Sequence, residues 1–213
     1  HDHSYLVPKD LNWAQIIHPE ENIISSKPLC LDPNSKFVYS RVYDLKNKII
    51  KQTSFDIGQN ERNALNSLNH SSIPKLLSYR EESNYSVLEI EKKRGTTISQ
   101  IFKASKKLSD KEKISLSKQL CSCLEYIHSQ GVEHRDITPD NLIWCNLDKK
   151  IYIIDFGWAH TKDFNKIYTP LGLGTNKGFY GFIDQRQERK DNYAAAILIS
   201  MLFKDFKVEE AEE

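Results

Sequence analysis

The sequence predicts an α+β protein of two lobes, a strand-rich first half and a mainly helical second half, on three observations. Residues 36 to 53 and 85 to 90 are rich in Val, Ile, Tyr and Phe and are punctuated by turn residues, the mark of short strands. Ser109 to Gly131 repeats apolar residues at helical intervals behind a capping signal. The 213 residues are enough for one ordinary domain, or for two small lobes sharing a cleft.

Lys36 to Tyr43 reads as a strand, Asp44-Leu45-Lys46-Asn47 as its turn and Lys48 to Thr53 as the returning strand. Ile57 to Leu68 sets Ile57, Ala64, Leu65 and Leu68 at helical spacing before Asn69-His70-Ser71-Ser72 breaks the pattern. Tyr85 to Ile90 resumes a strand that ends at Lys92-Lys93-Arg94-Gly95. The Ser109-Asp-Lys-Glu112 run is a capping box, and Leu116, Leu120, Leu124 and Ile127 form the apolar stripe of the helix behind it. Leu142-Ile143-Trp144 and Ile151 to Ile154 are two short strands about the turn Asp148-Lys149-Lys150. Residues 156 to 190 have little period and hold Gly157, Gly172, Gly174, Gly178 and Gly181, the composition of a functional or mobile stretch. Asp191 to Phe203 is apolar nearly all round, which predicts a helix buried inside protein. Trp13, Ile16 and Ile17 are expected to pack on the first lobe, and the lobes meet near residues 89 to 94.

Composition narrows the function classes. With 30 Lys+Arg against 29 Asp+Glu, the net charge of +1 gives no global field for nucleic acid and no acidic bias of a disordered chain. The longest apolar run, Ala194 to Phe203, is too short to span a membrane, and the first residues lack the apolar core of a secretory signal. Cys30, Cys121, Cys123 and Cys145 form no C-x-x-C pair and read as small hydrophobes in a reducing, cytoplasmic compartment.

The chemistry concentrates in His134-Arg135-Asp136-Ile137-Thr138-Pro139-Asp140-Asn141 and Asp155-Phe156-Gly157, which flank the short strand pair. Here the sequence resembles the protein kinase superfamily, whose catalytic loop H-R-D-x-x-x-x-N and metal-binding D-F-G lie at the two ends of such a pair. The resemblance covers roughly residues 35 to 203. It implies a two-lobed kinase fold, with an N-lobe antiparallel sheet plus αC helix and a reduced, mainly helical C-lobe. Residues 1–34 would be an extension leading into the N-lobe, 35–91 the N-lobe and 92–213 the C-lobe. The C-lobe would contain the catalytic loop 134–141, D-F-G 155–157, the activation segment 155–184 and helix αF 191–203.

The same resemblance implies ATP and Mg²⁺ as cofactors. Asp136 would orient the acceptor hydroxyl and take its proton, while Asn141 and Asp155 would reach the magnesium ions. Ile49-Ile50-Lys51-Gln52 resembles the V-A-I-K strand, making Lys51 the phosphate-binding lysine, and Glu61 resembles its αC partner. Val87-Leu88-Glu89-Ile90-Glu91 is similar to the stretch from gatekeeper to hinge. Leu88 would then be the gatekeeper, the backbones of Glu89 and Glu91 would be available to adenine, and Ile143 would be an apolar floor under the base. Gly174-Thr175 is similar to the G-T of serine/threonine kinases. Asp191 resembles the αF aspartate that anchors the catalytic-loop backbone.

The sequence departs from the family at three places. No glycine lies between Lys27 and Gly58, so the glycine-rich loop is absent, and Ser35 and Lys36 are candidates to replace it. Thr138 stands where these enzymes usually carry lysine. A-P-E is absent near Gly181-Phe182-Ile183-Asp184, as in minimal kinases that include bacterial effectors acting in a host cytosol.

The expected activity is therefore transfer of the ATP γ-phosphate to a protein serine or threonine. The alternatives are a sugar or glycan hydroxyl as acceptor, and a nucleotide-binding pseudokinase scaffold. His134 is expected to be structural under Phe156, and His128 and His160 to lie on the surface. Arg135 would meet either a constitutive ion-pair partner or a phosphate on Thr161, Tyr168 or Thr169.

Overall fold

Alternation of buried and exposed side chains builds the first sheet, and a single helix seals one of its faces. The computed structural model describes residues 7–8, 23–29, 37–38, 40–82, 85–104, 107–162 and 191–203. Its elements begin with β1 (Val7–Pro8), β2 (Ile23–Leu29), β3 (Phe37–Val38), β4 (Ser40–Leu45), β5 (Lys48–Thr53), α1 (Phe55–Ser67), β6 (Leu76–Glu81) and β7 (Ser86–Glu91). A five-stranded antiparallel sheet has the order β2-β4-β5-β7-β6, and β1 pairs separately with β3. The β4–β5 turn is tighter than the sequence predicts, because burial of Tyr43 and Leu45 on one face carries β4 on to Leu45. The β5–β7 register places Lys51 opposite Leu88 and Ile49 opposite Ile90, so these side chains share the face that α1 covers.

α1 begins at Phe55, buries Ile57, Ala64 and Leu65, and ends where Leu68 turns extended. β6 carries no period-2 signal, and as an edge strand it leaves Leu77 53% exposed. Its partner β7 and the turn closed by Glu82 N–H to Tyr85 O at 2.9 Å hold it in place.

Beyond the sheet come β8 (Thr96–Thr97), α2 (Ile98–Lys103), α3 (Asp110–Ser129), β9 (Val132–Glu133), β10 (Leu142–Cys145), β11 (Lys150–Ile153), β12 (His160–Thr161) and α4 (Asp191–Phe203). The Ser109/Glu112 capping box forms with both reciprocal hydrogen bonds, and α3 buries Leu116, Leu120, Cys123, Leu124 and Ile127. β10 and β11 form a hairpin extended by β8, while β9 pairs with β12. Gly95, at φ +146, brings the segment after β7 against β10, where a Cβ would meet Ile143 Cγ2 at 2.6 Å.

One hydrophobic core runs from Leu65 and Leu88 through Ile137, Ile153 and Phe156 to Leu120 and Leu198. It joins the sheet to the helical half, giving the α+β, kinase-like architecture. α4 corrects one expectation. It buries Ala194, Ala195, Leu198 and Leu202 but leaves Tyr193 and Phe203 almost half exposed, because an all-apolar helix need not be surrounded on every side. Ser35, Lys36, Tyr168, Thr169, Gly174 and Thr175 lie outside the described residues, as do Trp13, Ile16 and Ile17. Among the described residues, no helix is long and apolar enough to cross a membrane.

Candidate active site

Lys51 enters from the middle of β5 and is 4% exposed. Its ammonium contacts two carboxylates, Glu61 Oε2 of α1 at 2.8 Å and Asp155 Oδ1 at 2.6 Å. The order Lys51, Glu61, Asp155 along the chain thus becomes one cluster at the junction of sheet and helical half. Glu61 also accepts the Phe156 backbone N–H at 3.2 Å, and Asp155 Oδ1 accepts that of Gly157 at 3.3 Å.

The electrostatics follow from two anions sharing one cation. Burial opposes charge on Lys51, but Asp155 and Glu61 outweigh it and hold its pKa above the ordinary value. Burial pushes the Glu61 carboxyl up, beyond what Lys51 takes back. Burial also acts against ionised Asp155, yet attraction and hydrogen bonding from Lys51 pull its pKa down. Lys51 thus acts most strongly on Asp155, whose side chain keeps 29% exposure while that of Glu61 is buried.

The segment His134 to Asn141 meets the strand end that leads into Asp155. Asn141 Nδ2 donates to Asp136 O at 2.9 Å and to Asp136 Oδ2 at 2.7 Å, which uses both amide hydrogens. Ile154 N–H donates to Asn141 O at 3.0 Å, tying the loop to the strand end before Asp155. His134 packs edge-on against Phe156 at 4.6 Å. A carbonyl can only accept, so His134 donates through Nε2 to Ile154 O at 3.0 Å and accepts the Asp136 N–H at Nδ1 at 3.2 Å. Thr138 is buried, and so is Thr161, which pairs in β12 with Val132.

Arg135 and Asp155 both have positive φ, 66° and 64°. A left-handed arginine is strained by about 1 kcal/mol or more, and it persists only where its surroundings hold it. Asp191 supplies that hold: its Oδ2 accepts the His134 N–H at 2.8 Å and its Oδ1 accepts the Arg135 N–H at 2.7 Å.

His128 differs from the expected surface group, because its Nε2 lies 2.9 Å from Asp191 Oδ2. The spacing of Leu124 and Ile127 gave only the buried stripe, and His128 sits at its margin. The hydrogen bond to Asp191 raises the His128 pKa against the opposing effect of burial. Burial works against ionised Asp191, but His128 and the two loop N–H groups hold its pKa down. The raised histidine contributes stability below its unfolded value of about 6.5 and loses it as pH rises through the folded value. The lowered aspartate contributes above about 3.8 and loses it as pH falls through its own folded value. The melting-temperature advantage of wild type over His128→Gln is therefore expected to be largest near about pH 5 to 6 and to shrink towards about pH 8.

The residues expected to face adenine are placed unevenly. Leu88 is fully buried opposite Lys51, and Ile143 is the one residue of β10 left partly exposed. Glu89 pairs through its side chain with Lys48 at 3.1 Å. Glu91 departs from the expectation: its backbone N–H donates to Lys75 O at 2.9 Å, because the β6–β7 irregularity near Leu76 turns that N–H towards Lys75. The expected free donor at Glu91 is therefore already engaged.

Comparison with known proteins identifies the family. The protein kinase domain family matches residues 32–172, more than half of the 213-residue chain. A calcium/calmodulin-dependent protein kinase type 1 of Macrobrachium nipponense is 31% identical over 143 residues, 66% of this chain and 40% of that protein. A kinase of the same name from Caenorhabditis briggsae is 30% identical over 116 residues, 54% of this chain and 33% of its own. Serine/threonine-protein kinase B of Synechocystis sp. is 37% identical over 89 residues, 42% of this chain and 16% of that protein. The chain thus spans two fifths or less of the length of these relatives. With the H-R-D and D-F-G segments folded around one Lys–Glu–Asp cluster and the family match running through both, the chain belongs to the protein kinase family.

Proposed function

We propose that the protein transfers the γ-phosphate of ATP, with Mg²⁺, to a serine or threonine hydroxyl of a protein. The observation that carries this reading is the convergence of Lys51, Glu61 and Asp155 beside the hydrogen-bonded Asp136–Asn141 pair. The donor set suits magnesium. Asn141 has both amide hydrogens engaged, which leaves its oxygen as an acceptor, and Lys51 and Gly157 both approach Oδ1 of Asp155, leaving Oδ2. Among the described residues no three His, Cys, Asp or Glu side chains form a metal cage, which fits an ion that arrives on phosphate and keeps some of its water.

Bound Mg-ATP supplies the phosphoryl electrophile and neutralises the charge around it. Lys51 holds the nucleotide phosphates, and Glu61 fixes the direction of its ammonium. Asp136 accepts the acceptor hydroxyl's proton at its carboxylate, whose orientation Asn141 fixes. Leu88 and Ile143 bound the base, with the Glu89 backbone along its edge. The relatives' names favour a protein serine or threonine as acceptor. Free Cys121, Cys123 and Cys145 fit a reducing, cytoplasmic setting.

The test incubates the protein with γ-labelled ATP, magnesium, a protein lysate and a glycan pool. Label on serine or threonine of proteins, abolished by EDTA, is expected. Label confined to glycan would replace the acceptor, and no transfer with retained nucleotide binding would leave the scaffold reading.

A further inference from the structure

Resting on the phosphotransferase reading, we propose that Gly58 is a positioning residue for that reaction, seating α1 on Ser86 of β7 closely enough for Glu61 to reach Lys51. Glycine inside a helix costs about 1 kcal/mol relative to alanine, so its place in the first turns of α1 calls for a reason. Packing supplies one. A Cβ at Gly58 would overlap the Ser86 Cβ and lie 2.7 Å from its Oγ, with Thr53 Cγ2 at 3.4 Å. The Ser86 Cβ is fixed to the backbone of an interior strand and is fully buried, so it has no room to yield.

Gly58 and Glu61 stand three residues apart, on one face of the helix. Whatever lifts α1 from the sheet at residue 58 therefore lifts the carboxylate that meets Lys51 at 2.8 Å. The helix also holds the D-F-G segment through Glu61 to the Phe156 N–H and through the neighbouring Asn60 Nδ2 to Gly157 O at 3.4 Å.

Ser86 is also the inner end of a polar clamp on the rim of α1. Its Oγ lies 3.0 Å from the Tyr79 hydroxyl, which donates to Glu81 Oε1 at 2.7 Å. Gln59 Nε2 donates to that same oxygen at 3.3 Å, and Arg62 stacks over the Tyr79 ring at 4.9 Å. Gln59 and Arg62 flank the Gly58–Glu61 face, so the clamp fixes the helix from the side while Gly58 sets its height. Burial pushes the Tyr79 phenol up to about 12, which keeps it a donor.

The test pairs the contact with its relief in the full chain. Gly58→Ala is expected to lower kcat about 10- to 100-fold, the size of a displacement near 1 Å at a reacting geometry, with a fall in melting temperature from the overpacked contact. Adding Ser86→Gly removes both overlapping atoms and is expected to restore kcat to within about 3-fold. Adding Ser86→Ala removes only Oγ, leaves the Cβ overlap and should restore nothing. Wild-type kcat in Gly58→Ala, or equal rescue by Ser86→Ala and Ser86→Gly, would overturn the proposal.

Amide hydrogen exchange of α1, read without substrate, separates this from the activity reading. Faster exchange in Gly58→Ala that returns to normal with Ser86→Gly upholds the seat even if wild type transfers no phosphate. Unchanged exchange across the series overturns it. Should Gly58→Ala fail to fold, recovery of a folded, active protein on adding Ser86→Gly but not Ser86→Ala supports the seat, and failure of both overturns it.

Discussion

Asp155→Asn is expected to lower phosphoryl transfer by about 10³-fold, close to 4 kcal/mol of transition-state stabilisation, while the fold persists. Lys51 pulls the pKa of this residue down, and its carboxylate is the one in the three-membered cluster that keeps solvent access. An amide there still fills the space and offers oxygen, but it loses the charge that a phosphate-borne cation needs. Lys51 keeps Glu61 as a partner, so stability should fall little. Lys51→Met provides the contrast. It leaves Glu61 and Asp155 facing each other without the cation, and breaking a buried pair from one side costs about 3–5 kcal/mol. Urea unfolding and kcat measured on both variants separate the two: Asp155→Asn should lose activity alone, and Lys51→Met both activity and stability. Equal stability losses would show that Asp155 acts as a structural anion rather than a catalytic one.

Asp191→Ala is the second large effect. The carboxylate accepts hydrogen bonds from the His134 and Arg135 backbones and lies 2.9 Å from His128 Nε2. Removing it leaves buried donors unpaired at about 1–3 kcal/mol each and releases the left-handed backbone at Arg135. A total loss of about 3–5 kcal/mol in unfolding free energy is expected, with a fall in kcat as Asp136 loses its fixed place. Asp191→Asn keeps one acceptor oxygen and turns the other position into a donor facing a donor, so an intermediate loss is expected. If the alanine variant unfolds within about 0.5 kcal/mol of wild type, the loop is held by something other than α4.

Much of this was legible because the decisive signals are local. The Ser109/Glu112 box and the stripe from Leu116 to Ile127 specify α3 through contacts between residues three and four apart. Lys51, Glu61, Asp136, Asn141 and Asp155 could be named because their segments resemble protein kinase motifs, and the fold brings the first two together with Asp155. Signals made only by the third dimension were not legible. β6 is an edge strand with no alternation, visible only beside β7. The engaged Glu91 N–H depends on an irregularity in strand register. His128 meets an aspartate 63 residues away, and no pattern within α3 announces it. α2 was missed although a signal existed, since Thr97-Ile98-Ser99-Gln100 forms a second reciprocal capping box too short to stand out. Gly58 shows a different limit. In sequence it is only a weak helix residue, and its reason lies in the buried Cβ of Ser86 on another element.

Mn²⁺ binding followed by electron paramagnetic resonance, with and without ATP, addresses the central claim most directly. Wild-type protein should take up the ion only when ATP is present, and Asp155→Asn and Asn141→Leu should each lose most of that uptake while remaining folded. Equal uptake by all three proteins would mean that these side chains do not meet at a nucleotide-borne cation.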